Sequence, residues 1–131
     1  MEHRFDLRVY YEDTDLAGIV YYANYLKFIE RARSEWVRGL GVDQAALRAG
    51  AGVVFAVRRV VADYLRPAVY DDMLQVRTRV LAGSGARIVL AQRVYRDEAL
   101  LFEAEVTLVC LTSAGRPARL PEVLRGQIVA S

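Results

Sequence analysis

Apolar and polar positions alternate along the first segment of the chain, residues 5–13. On an extended chain, one side would carry Phe5, Leu7, Val9 and Tyr11. The other side would carry Asp6, Arg8 and Tyr10. A period of two among aromatic and branched residues predicts a β-strand. Residues 14–18 then break the alternation, and the glycine that ends them predicts a tight loop.

From Tyr22 onward the apolar period becomes helical. Six apolar residues at helical spacing form one stripe: Tyr25, Phe28, Ile29, Ala32, Trp36 and Leu40. Polar residues occupy the opposite face, where Arg31 and Glu35 are spaced to form an i,i+4 charge pair. We therefore predict a long helix that begins near Tyr22, has Asn24 as its N-cap and ends near Gly39.

The remainder of the chain has the pattern of β-structure, after one or two further helical turns at residues 43–49. Long runs rich in branched and aromatic residues predict four strands, at residues 53–66, 73–82, 87–96 and 100–111. The runs 53–57 and 106–111 are apolar on both faces, so they need a second covering layer. Because only one long helix is predicted, we expect another subunit to provide that cover.

These elements together predict an α+β fold, in which an antiparallel sheet of five or more strands wraps one long central helix. The 131 residues, of which 54% are hydrophobic and 26% charged, predict one globular domain spanning residues 1–131. An open sheet of this kind leaves edges that dimerisation would close.

Composition narrows the chemistry. The 18 basic and 16 acidic residues leave a net charge of +2, which does not favour nucleic-acid binding. The one cysteine, Cys110, lies in an apolar run, and the one histidine, His3, lies near the end of the chain, so we expect no metal site. The charged first residues do not form a signal peptide, and no apolar run is long enough to span a membrane, so we expect a cytoplasmic protein without membrane insertion.

Acidic residues concentrate just before the predicted helix. Glu12, Asp13 and Asp15 end the first strand, and a glycine loop then leads into the helix. A helix start presents unpaired backbone N–H groups that can stabilise an oxygen as it becomes negative. A carboxylate beside it can attack a carbonyl or take a proton from water. The same acids would equally serve to cap the helix and complement its dipole, so the pattern alone leaves both interpretations open.

Three stretches of the chain resemble the signature of the 4-hydroxybenzoyl-CoA thioesterase family: residues 9–15 (VYYEDTD), 18–25 (GIVYYANY) and 30–33 (ERAR). Within that family they are most similar to the YbgC-like acyl-CoA thioesterase branch associated with the Tol–Pal system. The resemblance implies a hotdog fold, dimers that join their sheets edge to edge, and often pairs of such dimers, here a homotetramer. It also implies active sites at the dimer interface, with coenzyme A bound along the surface.

The resemblance also implies roles for particular residues. Asp15 matches the catalytic carboxylate, and Tyr22 matches the position whose backbone N–H polarises the thioester carbonyl. The other matches are with positions that shape the site or contact the substrate: Tyr11, Gly18, Ile19 and Val20. Many members of the branch have histidine where this chain has Tyr22, so we expect no acid–base role for that side chain.

The expected function is hydrolysis of acyl-CoA to a free carboxylic acid and CoA, with Asp15 as nucleophile or general base and no cofactor beyond the CoA of the substrate. Thiolate is a good leaving group, so a strong general acid is not obligatory. The alternative is a non-catalytic module of the same fold that binds an acyl group or an acyl carrier protein. Several arginines are candidates for phosphate contacts, and none is assigned: Arg58, Arg59, Arg66, Arg87 and Arg93.

Overall fold

The fold follows from one strongly amphipathic helix and five long strands. The computed structural model describes residues 2–130, with side chains through residue 128, so residues 1 and 131 of the predicted domain lie outside the described residues. The elements, in chain order, are β1 (His3–Arg8), a short 3-10 helix (Tyr11–Asp13), α1 (Asn24–Gly39), α2 (Gln44–Ala51), β2 (Val53–Tyr64), β3 (Met73–Ser84), β4 (Arg87–Arg96), β5 (Ala99–Thr112) and α3 (Glu122–Ala130).

The five strands form one antiparallel sheet in the order β1-β3-β4-β5-β2. Its two edges are therefore β1 and β2. The pairing register shifts within β2 between Val57 and Arg59, and within β3 between Val80 and Ala82. Bulges of this kind increase the local bend and twist of a strand, which helps the sheet to curve around a helix.

The apolar stripe of α1 packs on the concave face of the sheet. Phe28, Ile29 and Ala32 are fully or almost fully buried, and Tyr25 and Trp36 are only slightly more exposed. The helix contacts β1, β3 and β4, so it crosses the sheet rather than lying along one strand. The prediction of an α+β fold, with one long central helix wrapped by an antiparallel sheet, is confirmed.

The C-terminal helix α3 was not predicted from the sequence. It packs against β3, where Leu124 is buried and Ile128 lies so close to Gly83 that an added Cβ there would stand 2.6 Å from the Ile128 side chain. The segment is short and interrupted by Gly126, which weakens its helical period. The helix α2, which is capped by Asp43, contacts β2 and covers part of the run at residues 53–57, one of the two runs for which we expected cover from another subunit.

Two boundaries near the start of the chain were predicted wrongly. The first strand ends at Arg8 rather than at residue 13, because Val9 and the residues after it turn away from the sheet: the Val9 N–H donates to Asp72 O, and the Tyr10 N–H donates to the Asp13 carboxylate. Residues 11–13 then form the 3-10 helix. The acids of this segment are therefore carried on a turn and not on a strand.

The helix also differs from its prediction. It begins at Asn24, two residues after Tyr22, and its N-cap is Ala23 rather than Asn24. The Asn24 Nδ2 donates 2.9 Å to Asp13 O and so ties α1 to the turn before it. Glu35 forms its ion pair with Arg38, at i,i+3, rather than with Arg31.

Candidate active site

The loop that carries Asp15 is a tight hairpin. The Gly18 N–H donates 2.9 Å to Asp15 O, and the Asp15 N–H donates 3.0 Å to Ile19 O. Gly18 closes the turn with φ +82°, a left-handed conformation that glycine adopts without strain. Isolated bridges pair Thr14 with Val20, and Ile19 with Val69. The loop is therefore held on both sides by backbone hydrogen bonds.

One of the two oxygens of the Asp15 carboxylate is hydrogen-bonded within this loop. Its Oδ1 accepts a hydrogen bond of 2.9 Å from the Ala17 N–H, while its other oxygen accepts none within the described part of the chain. The side chain is exposed, and the neighbouring Leu16 at the tip of the loop is fully exposed. The loop thus fixes the direction of the carboxylate and leaves one oxygen available to an outside group.

Two backbone donors are left open at the start of α1. Neither the Tyr22 N–H nor the Ala23 N–H donates to an acceptor among residues 2–130. The carbonyls of the same two peptide groups are occupied: Tyr21 O accepts 2.8 Å from the Asn24 N–H, and Tyr22 O accepts 3.1 Å from the Tyr64 hydroxyl. Because the C=O and N–H of a trans peptide point in opposite directions, these bonds orient both free N–H groups away from their partners. The arrangement can hold an oxygen that gains negative charge.

An apolar pocket of about 280 Å³ adjoins these donors. The residues that line it come from the Asp15 loop, the start of α1, and the end of β2 with the segment after it: Ile19, Val20, Tyr22, Tyr25, Tyr64, Leu65, Arg66 and Pro67. Arg66 is the only residue with a full charge in this lining, and it makes no ion pair within the described part of the chain. A pocket with apolar walls and one cation at its rim suits an apolar group attached to an anionic one.

Aromatic packing makes one wall of this pocket rigid. Tyr25 stacks on Phe102, with ring centroids 5.0 Å apart and planes at 11°, and Tyr64 meets Phe102 edge-on at 5.0 Å. The Tyr25 hydroxyl accepts 3.0 Å from the buried Ala68 N–H. Burial raises the pKa of both the Tyr25 and the Tyr64 phenol, so both stay protonated and neither serves as a base near neutral pH.

The structure brings only some of the predicted site residues together. Ile19, Val20 and Tyr22 line the pocket, whereas Gly18 shapes the hairpin from outside it. Tyr11 is 82% exposed and packs against Tyr70, with ring centroids 6.4 Å apart, so it is not in the lining. The Asp15 side chain is not in the lining either, and it reaches the pocket only through the backbone of its loop.

Tyr25 and Tyr64 line the pocket but were not among the predicted site residues, whereas Arg66 was one of the five arginines named as candidates for phosphate contacts. Tyr25 was part of the apolar stripe, which is also the signal of a core residue. Tyr64 and Arg66 end the run predicted as the first long strand, far from the acidic segment in sequence, and no local pattern connects them to it.

Two other findings bear on the chemistry. Among residues 2–130, no three His, Cys, Asp or Glu side chains are placed to hold a metal ion together. None of the helices in the same part of the chain is both long and apolar enough to cross a membrane.

Comparison with known proteins adds a family to this geometry. Residues 9–128 match the family model described as the thioesterase-like superfamily. The chain is 44% identical over 121 residues to the acyl-CoA thioester hydrolase YbgC of Escherichia coli O6:H1, covering 91% of this chain and 90% of that protein. It is 43% identical over 107 residues to the acyl-CoA thioesterase YbgC of Haemophilus influenzae, covering 82% and 79%. The crystal structure of a probable thioesterase from Bartonella henselae superposes with a TM-score of 0.89 at 38% identity, covering 92% of this chain and all of that one.

Proposed function

The chain belongs to the thioesterase-like superfamily and has its hotdog fold, and from that premise we propose that it is an acyl-CoA thioesterase whose reaction takes place between Asp15 and the start of α1. The observation that carries the proposal is the pairing of an apolar pocket with open backbone donors, beside a loop that presents a carboxylate.

The reaction divides between two groups of atoms. The free oxygen of Asp15 either attacks the thioester carbon or removes a proton from a water that attacks it. The N–H groups of Tyr22 and Ala23 stabilise the negative oxygen that forms, aided by the dipole of α1. The C–S bond then breaks and CoA leaves as its thiolate. If water was the nucleophile, this step forms the free carboxylic acid. If Asp15 was the nucleophile, water then cleaves the mixed anhydride that joins Asp15 to the acyl group, which releases the acid and restores the Asp15 carboxylate. Both roles of Asp15 fit the same position of its side chain.

The remaining pocket residues support binding rather than chemistry. The aromatic and aliphatic walls accept the part of the substrate next to the thioester. The Tyr64 hydroxyl donates to Tyr22 O, which fixes the Tyr22–Ala23 peptide group and with it one of the two donors. Arg66 at the rim is the candidate contact for a CoA phosphate, since a guanidinium fork suits phosphate oxygens.

A second copy of the chain completes the site in this proposal. The sheet edge β2 carries three exposed valines, Val57, Val60 and Val61, whereas the other edge, β1, is shorter and bears exposed charges. A long edge strand with exposed apolar side chains is a ready site for pairing with another strand. The start of β2 is covered by α2, so the strand is free from about Val57 onward.

The charges on β2 are self-complementary. If two copies pair antiparallel about Val61, Arg59 of each stands opposite Asp63 of the other, because both are two residues from that centre. Neither residue makes an ion pair within the described part of its own chain. We propose this pairing as the dimer, and that pairs of such dimers form the tetramer.

Asp15→Asn tests the catalytic assignment, because it removes the charge and keeps the shape. We expect kcat to fall about 100- to 10,000-fold with an unchanged unfolding midpoint. Glu12→Gln is the matched control: it neutralises a nearby exposed acid whose carboxylate accepts no hydrogen bond from the described residues, and it should leave kcat unaltered. The measurement is thiol release from acyl-CoAs running from acetyl to palmitoyl and benzoyl. Full activity in Asp15→Asn would remove the carboxylate from the mechanism.

The same assay separates the enzyme from its alternative. A folded wild-type protein that releases thiol from none of these substrates, yet binds acyl-CoA or acyl carrier protein in calorimetry, would be a binding module instead.

Charge reversal tests the dimer. Sedimentation velocity should show weaker association for Arg59→Asp and for Asp63→Arg, since each sets like charges opposite one another, and recovery in the Arg59→Asp/Asp63→Arg double variant. Unchanged association in all three would place the interface elsewhere, and the same runs report whether dimers pair.

A further inference from the structure

A second cavity lies under the middle of α1, away from the proposed catalytic loop. It has a volume of about 140 Å³, space for roughly four or five water-sized groups. Its walls are mainly apolar, and include Trp36, Phe55, Val57 and Leu108. Arg33 is the cation in the lining, and its position is unusual because guanidinium groups are seldom placed among buried apolar side chains.

Arg33 is held in place by a buried amide. Its Nη1 donates 2.9 Å to Gln92 Oε1. Gln92 is fully buried, and its Nε2 donates 2.9 Å to Ile29 O and 2.9 Å to Thr78 Oγ1. The two donations fix which way the amide faces, so its oxygen has to point at Arg33. The guanidinium is therefore positioned by core packing.

The Arg33 guanidinium forms no ion pair within the described part of the chain. No carboxylate lies within ion-pair distance of it among the described residues, and of its five N–H donors only the one to Gln92 makes a hydrogen bond there. Burial lowers the pKa of the Arg33 guanidinium, and Glu30 on the same helix partly offsets this. A partly desolvated cation with spare donors is costly unless something accepts from it.

The proposed dimer brings this cavity to the catalytic pocket. Pairing about Val61 sets Tyr64 of one copy opposite Arg58 of the other, next to Val57 in the chain. Tyr64 lines the pocket at the start of α1, and Val57 lines the second cavity. Within one chain, the pocket and the second cavity are separated by about 13 Å along α1, from Asn24 to Arg33. In the proposed dimer, the pocket of one copy lies beside the second cavity of the other.

Resting on the proposed function, we infer that the second cavity of one copy receives the far end of the acyl group held by the other copy, and that Arg33 donates to an oxygen there. The substrates are then short acyl-CoAs with a hydrogen-bond acceptor at their distal end, rather than plain fatty acyl groups. Glu30 also lines the cavity, so its negative charge disfavours a carboxylate relative to a neutral hydroxyl or carbonyl oxygen.

Matched substrates test this inference. Hydrolysis of hexanoyl-CoA is compared with that of 6-hydroxyhexanoyl-CoA and hexanedioyl-CoA, and with shorter homologues of each, by kcat/KM. The wild type should prefer an oxygenated substrate, and Arg33→Met should reduce that preference about 10- to 100-fold, mainly by raising KM. Arg33→Lys should keep part of it. Arg38→Met removes an exposed arginine one turn further along α1 and is the control that should leave the preference unchanged.

The outcomes are distinguishable. A folded Arg33→Met with wild-type preference overturns the inference while leaving thioesterase activity intact. If Arg33→Met does not fold, the wild-type protein alone tests the inference. Wild-type hydrolysis of hexanoyl-CoA that equals or exceeds that of the oxygenated substrates also overturns it. A preference for the dioate over the hydroxyl substrate still assigns the acceptor to Arg33, and Glu30→Gln should then strengthen it. If the wild-type protein hydrolyses none of the acyl-CoA substrates, the proposed function is refuted, and this inference with it.

Discussion

Polar groups at the start of α1 and polar groups beside its middle differ in how completely they are hydrogen-bonded. At the start, the N–H groups of Tyr22 and Ala23 donate to no acceptor among residues 2–130, although the carbonyls of the same peptide groups are occupied. In the middle, the Gln92 amide makes three hydrogen bonds in the core, to Arg33, Ile29 and Thr78. In the core of this fold, hydrogen bonds fix the orientation of buried polar side chains. Where a substrate oxygen would bind, backbone N–H groups are left open instead.

This comparison predicts different consequences of mutation at the two places. Changes in the middle should mainly lower the free energy of unfolding, because they leave buried groups unpaired. Changes in the Asp15 loop and at the open N–H groups before Asn24 should mainly lower kcat, because the groups there are exposed and contribute little to folding.

Gln92→Leu should lower the free energy of unfolding by about 3 kcal/mol. It removes the acceptor of a partly buried cation and the donor to two buried oxygens at once. Urea unfolding followed by circular dichroism measures the loss. Thr78→Val, which removes only one acceptor of the same amide, is the control and should cost clearly less. A loss below about 1 kcal/mol in Gln92→Leu would mean that the buried network is relaxed by water.

Tyr25→Phe should cost about 1 to 3 kcal/mol, because the buried Ala68 N–H loses its acceptor. It should also change the pH dependence of stability. Burial raises the folded-state pKa of Tyr25 above the ordinary tyrosine value of about 10, so its contribution to stability is complete below about pH 10 and is lost as the pH rises through the folded-state pKa. Urea unfolding between about pH 8 and pH 11 should therefore show a shallower alkaline decline in Tyr25→Phe than in the wild type. Parallel declines would exclude Tyr25 as a source.

Gly18→Ala should cost about 1 to 2 kcal/mol, because its φ of +82° strains any residue with a Cβ although no atom lies within 4 Å of the added group. Its effect on kcat should exceed its effect on stability, since the strain bends the loop that carries Asp15. Gly85→Ala is the matched control: it has φ +61° and equal space, but it sits in the turn between β3 and β4. A similar kcat loss in both variants would show that only general destabilisation is measured.

Glu35→Ala should change stability by less than about 1 kcal/mol. Its ion pair with Arg38 joins two side chains that are 43% and 70% exposed, and such pairs are screened by solvent. Thermal unfolding at low and high salt should give differences that shrink as salt rises. A loss as large as that of Gln92→Leu would contradict the contrast between exposed and buried polar groups on α1.

The sequence alone determined the architecture, because burial on one face imposes its period on the chain. The stripe from Tyr25 to Trp36 could only be a helix facing a sheet, and β4 was predicted at its observed bounds. Its motif also selected the family before any geometry was known. The boundaries at Arg8 and Asn24 escaped prediction because hydrogen bonds to Asp72 and Asp13, distant or across a turn, decide them.

Only the tertiary structure decided what surrounds the proposed reaction. Tyr64, at the end of β2, and Arg66, just after it, reach the start of α1 from a segment whose apolar period shows which face of the sheet is buried and not which elements lie beside it. Arg33 reads as an ordinary polar residue of a helix until the fold sets it against Gln92, 59 positions away. A local pattern records which side of an element is buried, whereas the identity of the atoms across the gap depends on packing between segments that are remote in the chain.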